Sequence, residues 1–159
     1  MEVGARRGAH FQLVRQWDVP PAGHGSWRNP MKPRLVLLFT RDRAFDQLVS
    51  EALFGTDAIV LIARSVSDAL QVISSRGREL DFAILDFNEG CRGMTLLSAV
   101  HTCHQHLPIL VTISEDAEHS TAVAYANGAR ACLNKPIPPA RIADAISELS
   151  RPDQQLVAA

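Results

Sequence analysis

Asp86 closes an apolar run, Phe82-Ala83-Ile84-Leu85, and is followed by Asn88 and then Gly93. A carboxylate at the end of a buried strand is costly unless something compensates its charge. Open α/β sheets bind and react at that edge. Far downstream, Lys135-Pro136 follows a second short apolar stretch, Ala131-Cys132-Leu133. A cation at the end of another strand can reach the same crevice. The pair suits phosphoryl chemistry, with Asp86 as nucleophile and Lys135 neutralising the phosphoryl group.

The intervening sequence alternates strand and helix from Arg34 onward. Leu35 to Phe39 is a continuous apolar run of strand length, as expected for a strand buried on both faces. Ala44 to Leu53 has helical period, with Phe45, Leu48, Val49, Ala52 and Leu53 on one stripe and Gly55 beyond its end. Ala58 to Ala63 is the second strand. Ser67 is the expected cap of a second helix whose apolar face is Ala69, Leu70, Val72 and Ile73, closing at Gly77. Phe82 to Asp86 is the third strand, and Met94 to Cys103 the third helix, with Leu96, Leu97 and Val100 inward. Pro108 opens a fourth strand, Ile109 to Ile113; Ala117 to Asn127 is the fourth helix, with Gly128 as a left-handed stop. Ala131 to Leu133 is a short fifth strand. Pro138-Pro139 starts a last helix with Ile142, Ala145, Ile146 and Leu149 as its stripe. Five βα units with right-handed crossovers give an α/β, flavodoxin-like, doubly wound parallel sheet. The expected strand order is 2-1-3-4-5, with the crevice between strands 1 and 3.

The 159 residues suit one domain with a sizeable core, and 47% hydrophobic against 21% charged residues reads as a globular body. Residues 1–33 hold Pro20-Pro21, Gly23, Gly25, Pro30 and Pro33 without a sustained period, so they read as a flexible arm. Met31 lies just before the first strand, and the arm can equally be an extension ahead of a start at Met31. Residues 34–150 are the domain and 151–159 a short tail. Over residues 1–34, six basic side chains face Glu2 and Asp18, an excess of four positive charges; with −1 overall, the rest carries −5. An acidic body argues against nucleic-acid binding by the body itself, leaving only the arm to supply it. Cys91, Cys103 and Cys132 have no framework spacing, which fits reduced thiols in the cytoplasm. No apolar run approaches the ~20 residues that span a bilayer, and no h-region follows the N-terminus.

With these elements placed, residues 34–150 resemble the receiver domain of two-component response regulators. The carrying segments are Asp81-Phe-Ala-Ile-Leu-Asp86, Asn88, Gly93 and Gly128-Ala-Arg-Ala-Cys-Leu-Asn-Lys135-Pro136. The resemblance implies that Asp86 accepts a phosphoryl group from a histidine kinase or phosphotransfer protein. It implies that Lys135 contacts that group, and that Asn88 offers a backbone carbonyl to Mg²⁺. The family's Lys-Pro bond is usually cis, a state mostly confined to X-Pro. A homodimer or partner contact through the fourth helix and fifth strand is implied as well.

The chain departs from the family at the residues that matter for this chemistry. Receivers usually end their first strand with two acidic residues that hold Mg²⁺; here the positions read Thr40-Arg41, with Asp42 one place too late. Mg²⁺ normally takes one or two carboxylates in an octahedral oxygen set, so its binding should be weak. Arg41 could form a charge-assisted pair with Asp86, imitating the metal and tying up the nucleophile. The usual switch hydroxyl falls on Ile113. Thr112 precedes it, on what alternation suggests is the wrong side of the strand, and Ser114 could reach the crevice from the strand end. The aromatic switch position is Cys132. The Asp86–Gly93 loop is one residue short and lacks the customary Pro.

Other candidates are weaker. His101, Cys103, His104 and His106 cluster near the end of the third helix, where a metal site competes with a solvated helix end. Cys91 could be a redox thiol beside Asp86. Glu115, Asp116 and Glu118 suit the start of the fourth helix and could also dock a partner. The functional expectation is a stand-alone, non-enzymatic receiver, with at most self-phosphorylation and dephosphorylation at Asp86. Either Asp86 is still phosphorylated weakly, or the domain is a pseudo-receiver acting through protein contact; the missing acid pair and switch hydroxyl favour the second. The alternatives are a small flavodoxin-like ligand-binding domain or enzyme using the same crevice, and a DNA-binding regulator relying on the basic arm.

Overall fold

The computed structural model describes residues 33–87, 92–114 and 118–149. The proposed arm and tail, together with Asn88, Cys91, Glu115 and Asp116, lie outside the described residues. Five strands, β1 (Arg34–Phe39), β2 (Ala58–Ala63), β3 (Phe82–Phe87), β4 (Ile109–Ile113) and β5 (Ala131–Asn134), form one parallel sheet in the order β2-β1-β3-β4-β5. Between and after them run α1 (Arg43–Ala52), α2 (Val66–Arg76), α3 (Arg92–Cys103), α4 (Glu118–Ala126) and α5 (Pro139–Leu149). A 3₁₀ turn, Gly77–Glu79, links α2 to β3.

Strand alternation sorts the core into two layers. Leu35, Leu37, Phe39, Ala83, Leu85, Ile109 and Val111 point toward α2, α3 and α4. Val36, Leu38, Phe82, Ile84 and Leu110 point toward α1 and α5, where Phe45, Val49, Ile142 and Ile146 meet them. Both faces are covered, which is why the central strands read as continuous apolar runs rather than alternating ones.

Element ends differ from the sequence reading in ways the caps explain. Ser65, not Ser67, caps α2: its extended backbone lets its hydroxyl accept from the Asp68 N–H. Leu70 is 38% exposed, one step off the stripe of Ala69, Val72 and Ile73. α1 begins one residue early because Asp42 caps it, accepting from the Ala44 N–H at 2.8 Å. α3 also begins earlier, at Arg92, and β3 and β5 each run one residue longer than expected. Gly128 has φ +105°, and a Cβ there would strike the His101 ring of α3, so both backbone angle and close approach require glycine.

Candidate functional site

The α1/α5-facing rows of the sheet end in polar residues. Val36 and Leu38 of β1 are followed at the same spacing by Thr40. Phe82 and Ile84 of β3 lead to Asp86, Leu110 of β4 to Thr112, and Ala131 and Leu133 of β5 to Lys135. Parallel register brings these ends level, with Asp86 directly opposite Thr112. Four side chains from four strands therefore converge on one point at the C-terminal edge.

Asp86 is the centre of that point, and its side chain is 0% exposed. Its Oδ1 accepts from Lys135 Nζ at 2.6 Å and from Thr112 Oγ1 at 3.0 Å. Its Oδ2 accepts from Thr40 Oγ1 at 2.6 Å. Thr40 and Thr112 are themselves fully buried. A buried carboxylate needs this degree of compensation, since removing a partner would leave its charge in a low-dielectric site. Lys135 is 21% exposed, follows β5 immediately, and has its ammonium 4.8 Å from the centroid of the Phe45 ring, a cation–π contact. The Lys135-Pro136 peptide bond is cis.

Two expectations about this site are corrected. Thr112 does reach Asp86: Ile113, not Thr112, is the residue on the far side, packed in the α2/α3/α4 layer. Arg41 does not touch Asp86; it is exposed, and its Nε donates to the Arg64 carbonyl at 3.4 Å. The turn after Thr40 explains the direction. The Asp42 N–H donates to Thr40 Oγ1 at 3.0 Å, folding the chain into the α1 cap and leaving Arg41 at the outer corner. Asp42 points its Oδ1 at the cap rather than at Asp86. Ser114 is exposed and, with Asp42, Phe45, Leu48, Lys135 and Pro136, lines an open groove of about 720 Å³ beside the Lys135 stem.

Arg64 belongs to the site although the sequence reading passed over it. It follows the apolar run of β2, so it lies at the same sheet edge as Asp86 and Lys135. Its Nη1 donates to the Thr40 carbonyl at 3.3 Å, and its Nη2 pairs with the Asp46 carboxylate of α1. The signal available was the one used for Asp86: a charge directly after a buried strand.

The donor set around Asp86 suits a hydrogen-bonded ion pair better than a divalent metal. Mg²⁺ seeks several oxygens in octahedral array, including one or two carboxylates. Here one carboxylate meets two hydroxyls and an ammonium, while Asp42 caps a helix and Asp46 holds Arg64. Among the described residues no group of three His, Cys, Asp or Glu side chains could hold a metal ion. The α3-end histidines pack instead of clustering. His104 lies against Gly77 with its Nε2 3.3 Å from the Ile73 carbonyl, and His101 lies against Gly128. Cys132 is half-buried; burial pushes its thiol up to about 11, partly offset by a hydrogen bond with Tyr125 of α4. No helix among the described residues is long and apolar enough to cross a membrane.

Comparison with known proteins places this geometry. The family model for the response regulator receiver domain matches residues 36–147. The chain is similar to a putative response regulator from Chloroflexus aurantiacus J-10-fl, with 25% identity and TM-score 0.67, over 75% of this chain and 98% of that one. It is similar in fold to a response regulator receiver domain protein from Clostridium thermocellum, with 20% identity and TM-score 0.66, over 74% and 94% of the respective chains. NtrX from Brucella abortus also matches, with 19% identity and TM-score 0.66, over 75% of this chain but only 26% of the NtrX chain. No curated protein matches the sequence.

Proposed function

Because the chain belongs to the response regulator receiver domain family, we propose that it is a two-component signalling module held in one conformation, a pseudo-receiver whose output is protein contact. The observation that carries this reading is the state of Asp86. Both carboxylate oxygens accept from buried or half-buried partners, and none of the side chain is open to solvent. Charge-assisted bonds to these donors draw electron density from the carboxylate and weaken it as a nucleophile. Thr112 bonds the unmodified carboxylate, so a hydroxyl that would move only after phosphorylation is already engaged.

Receiver domains interact with histidine kinases or phosphotransfer proteins and often dimerise. For this chain the partner surface we assign is the α4/β5 face, where Tyr125 is 50% exposed beside Cys132. The module carries no enzymatic activity beyond, at most, self-phosphorylation and dephosphorylation at Asp86. Amide NMR spectra of the whole chain, recorded before and after a small-molecule phosphodonor with Mg²⁺, test the fixed conformation. The two spectra should superimpose. Displaced resonances through β4, α4 and β5 would contradict the reading.

The groove beside Lys135 favours a second reading, a small-ligand site in the same crevice. Native mass spectrometry of the purified protein tests it: a bound small molecule displaced on Lys135→Ala supports that reading, and bare protein counts against it.

A further inference from the structure

Receiver domains commonly bind Mg²⁺ at the phosphorylation site. We infer that this crevice does not take Mg²⁺ and that Thr40 is the residue that decides it. The inference deepens the fixed-module reading, resting on the same engagement of Asp86.

Thr40 Oγ1 is committed twice. It donates to Asp86 Oδ2 at 2.6 Å and accepts from the Asp42 N–H at 3.0 Å. Its proton is held by Asp86 and one of its two lone pairs by the turn into α1, so a metal would compete for a hydroxyl whose orientation is already set. A hydroxyl also brings no negative charge, so among the described residues the cluster offers Mg²⁺ one carboxylate, Asp86. That carboxylate already has a cation, Lys135 Nζ, 2.6 Å from Oδ1. Two further positive groups, Arg41 and Arg64, lie at the ends of β1 and β2, and Arg64 anchors the Thr40 carbonyl from outside. The nearby carboxylates of Asp42 and Asp46 are turned to the α1 cap and to Arg64. Among the described residues, the charges at this edge are thus balanced by hydrogen bonds and protein cations, an environment that disfavours a hard divalent ion.

A carboxylate at position 40 would reverse this balance, since its oxygens would reach the place where Thr40 Oγ1 now meets Asp86. The test is a Mg²⁺ titration of the whole chain by calorimetry, with thermal midpoints recorded in parallel. Wild type and Thr40→Ser, which keeps the hydroxyl, should show no saturable binding and no Mg²⁺-dependent midpoint. Thr40→Asp should gain a saturable site and a midpoint that rises with Mg²⁺, and both should disappear in Thr40→Asp/Asp86→Asn. Should Thr40→Asp be unfolded without metal, recovery of the fold on adding Mg²⁺ is the same readout. A saturable wild-type site lost in Asp86→Asn would overturn the inference, as would a Thr40→Asp protein indifferent to Mg²⁺. A wild-type phosphoryl adduct formed equally in Mg²⁺ and in chelator would instead defeat the fixed-module reading and leave this one standing.

Discussion

Side chains from three other strands meet the buried Asp86 carboxylate. Lys135 supplies the opposite charge, and Thr40 and Thr112 supply hydrogen bonds. Breaking a buried pair by removing one member costs about 3–5 kcal/mol, and an unmet bond to a buried charged oxygen about 1–3 kcal/mol. Lys135→Met should therefore destabilise the fold by about 3 kcal/mol and Thr40→Val by about 1–2 kcal/mol in urea unfolding; equal and negligible losses would mean the cluster is not formed in solution. Asp86 and Lys135 were legible in the sequence because each ends an apolar run. Thr112 was misjudged for an instructive reason. Counting from the family's pattern pointed to Ile113, whereas the row Leu110–Thr112 simply continues the row that faces α1 and α5, as Ile84–Asp86 does. Arg41 was misjudged because the direction of a side chain in a turn depends on the turn, and the Asp42 bond to Thr40 is a tertiary detail that composition does not reveal.

The elements themselves were largely legible, and their ends less so. Continuous apolar runs marked the strands, while i, i+3, i+4 stripes marked the buried faces of α1, α3 and α5. Cap choice was harder. Ser65 and Ser67 are equally good residues for capping α2, and only the extended backbone at Ser65 decides between them. In β5 the family's aromatic position is Cys132, and Tyr125 of the neighbouring α4 reaches its thiol. Burial raises that thiol from 9.0 to about 11, so its thiolate is about a hundredfold scarcer than that of an unperturbed cysteine at the same pH. The sign for stability follows. Below pH 9 both folded and unfolded thiols are protonated and this contribution is fully present; between pH 9 and 11 the unfolded thiol ionises first, so the contribution is lost as pH rises. Timed alkylation at pH 8 with peptide mapping should label exposed Cys103 well before Cys132; equal rates would show that β5 is open at this position.

At the scale of the whole molecule, the C-terminal edge of the sheet is tied from end to end. Asp46 of α1 pairs with Arg64 after β2; Arg64 bonds Thr40 after β1; Thr40 bonds Asp86 of β3; and Asp86 bonds Thr112 of β4 and Lys135 after β5. All five strands contribute to one polar chain, and an edge so connected favours a single arrangement over the two that a switch requires. The strand order and crevice were readable from the βα alternation alone. The chain of contacts was not, because Arg64 and Asp46 meet only once the parallel register is set. The central claim is that Asp86 is held and does not react. Intact mass spectrometry after incubation with a small-molecule phosphodonor and Mg²⁺, beside an Asp86→Ala control, tests it most directly. The account predicts an unmodified mass for the folded wild-type protein; a single phosphoryl adduct on wild type that is absent from Asp86→Ala would contradict it.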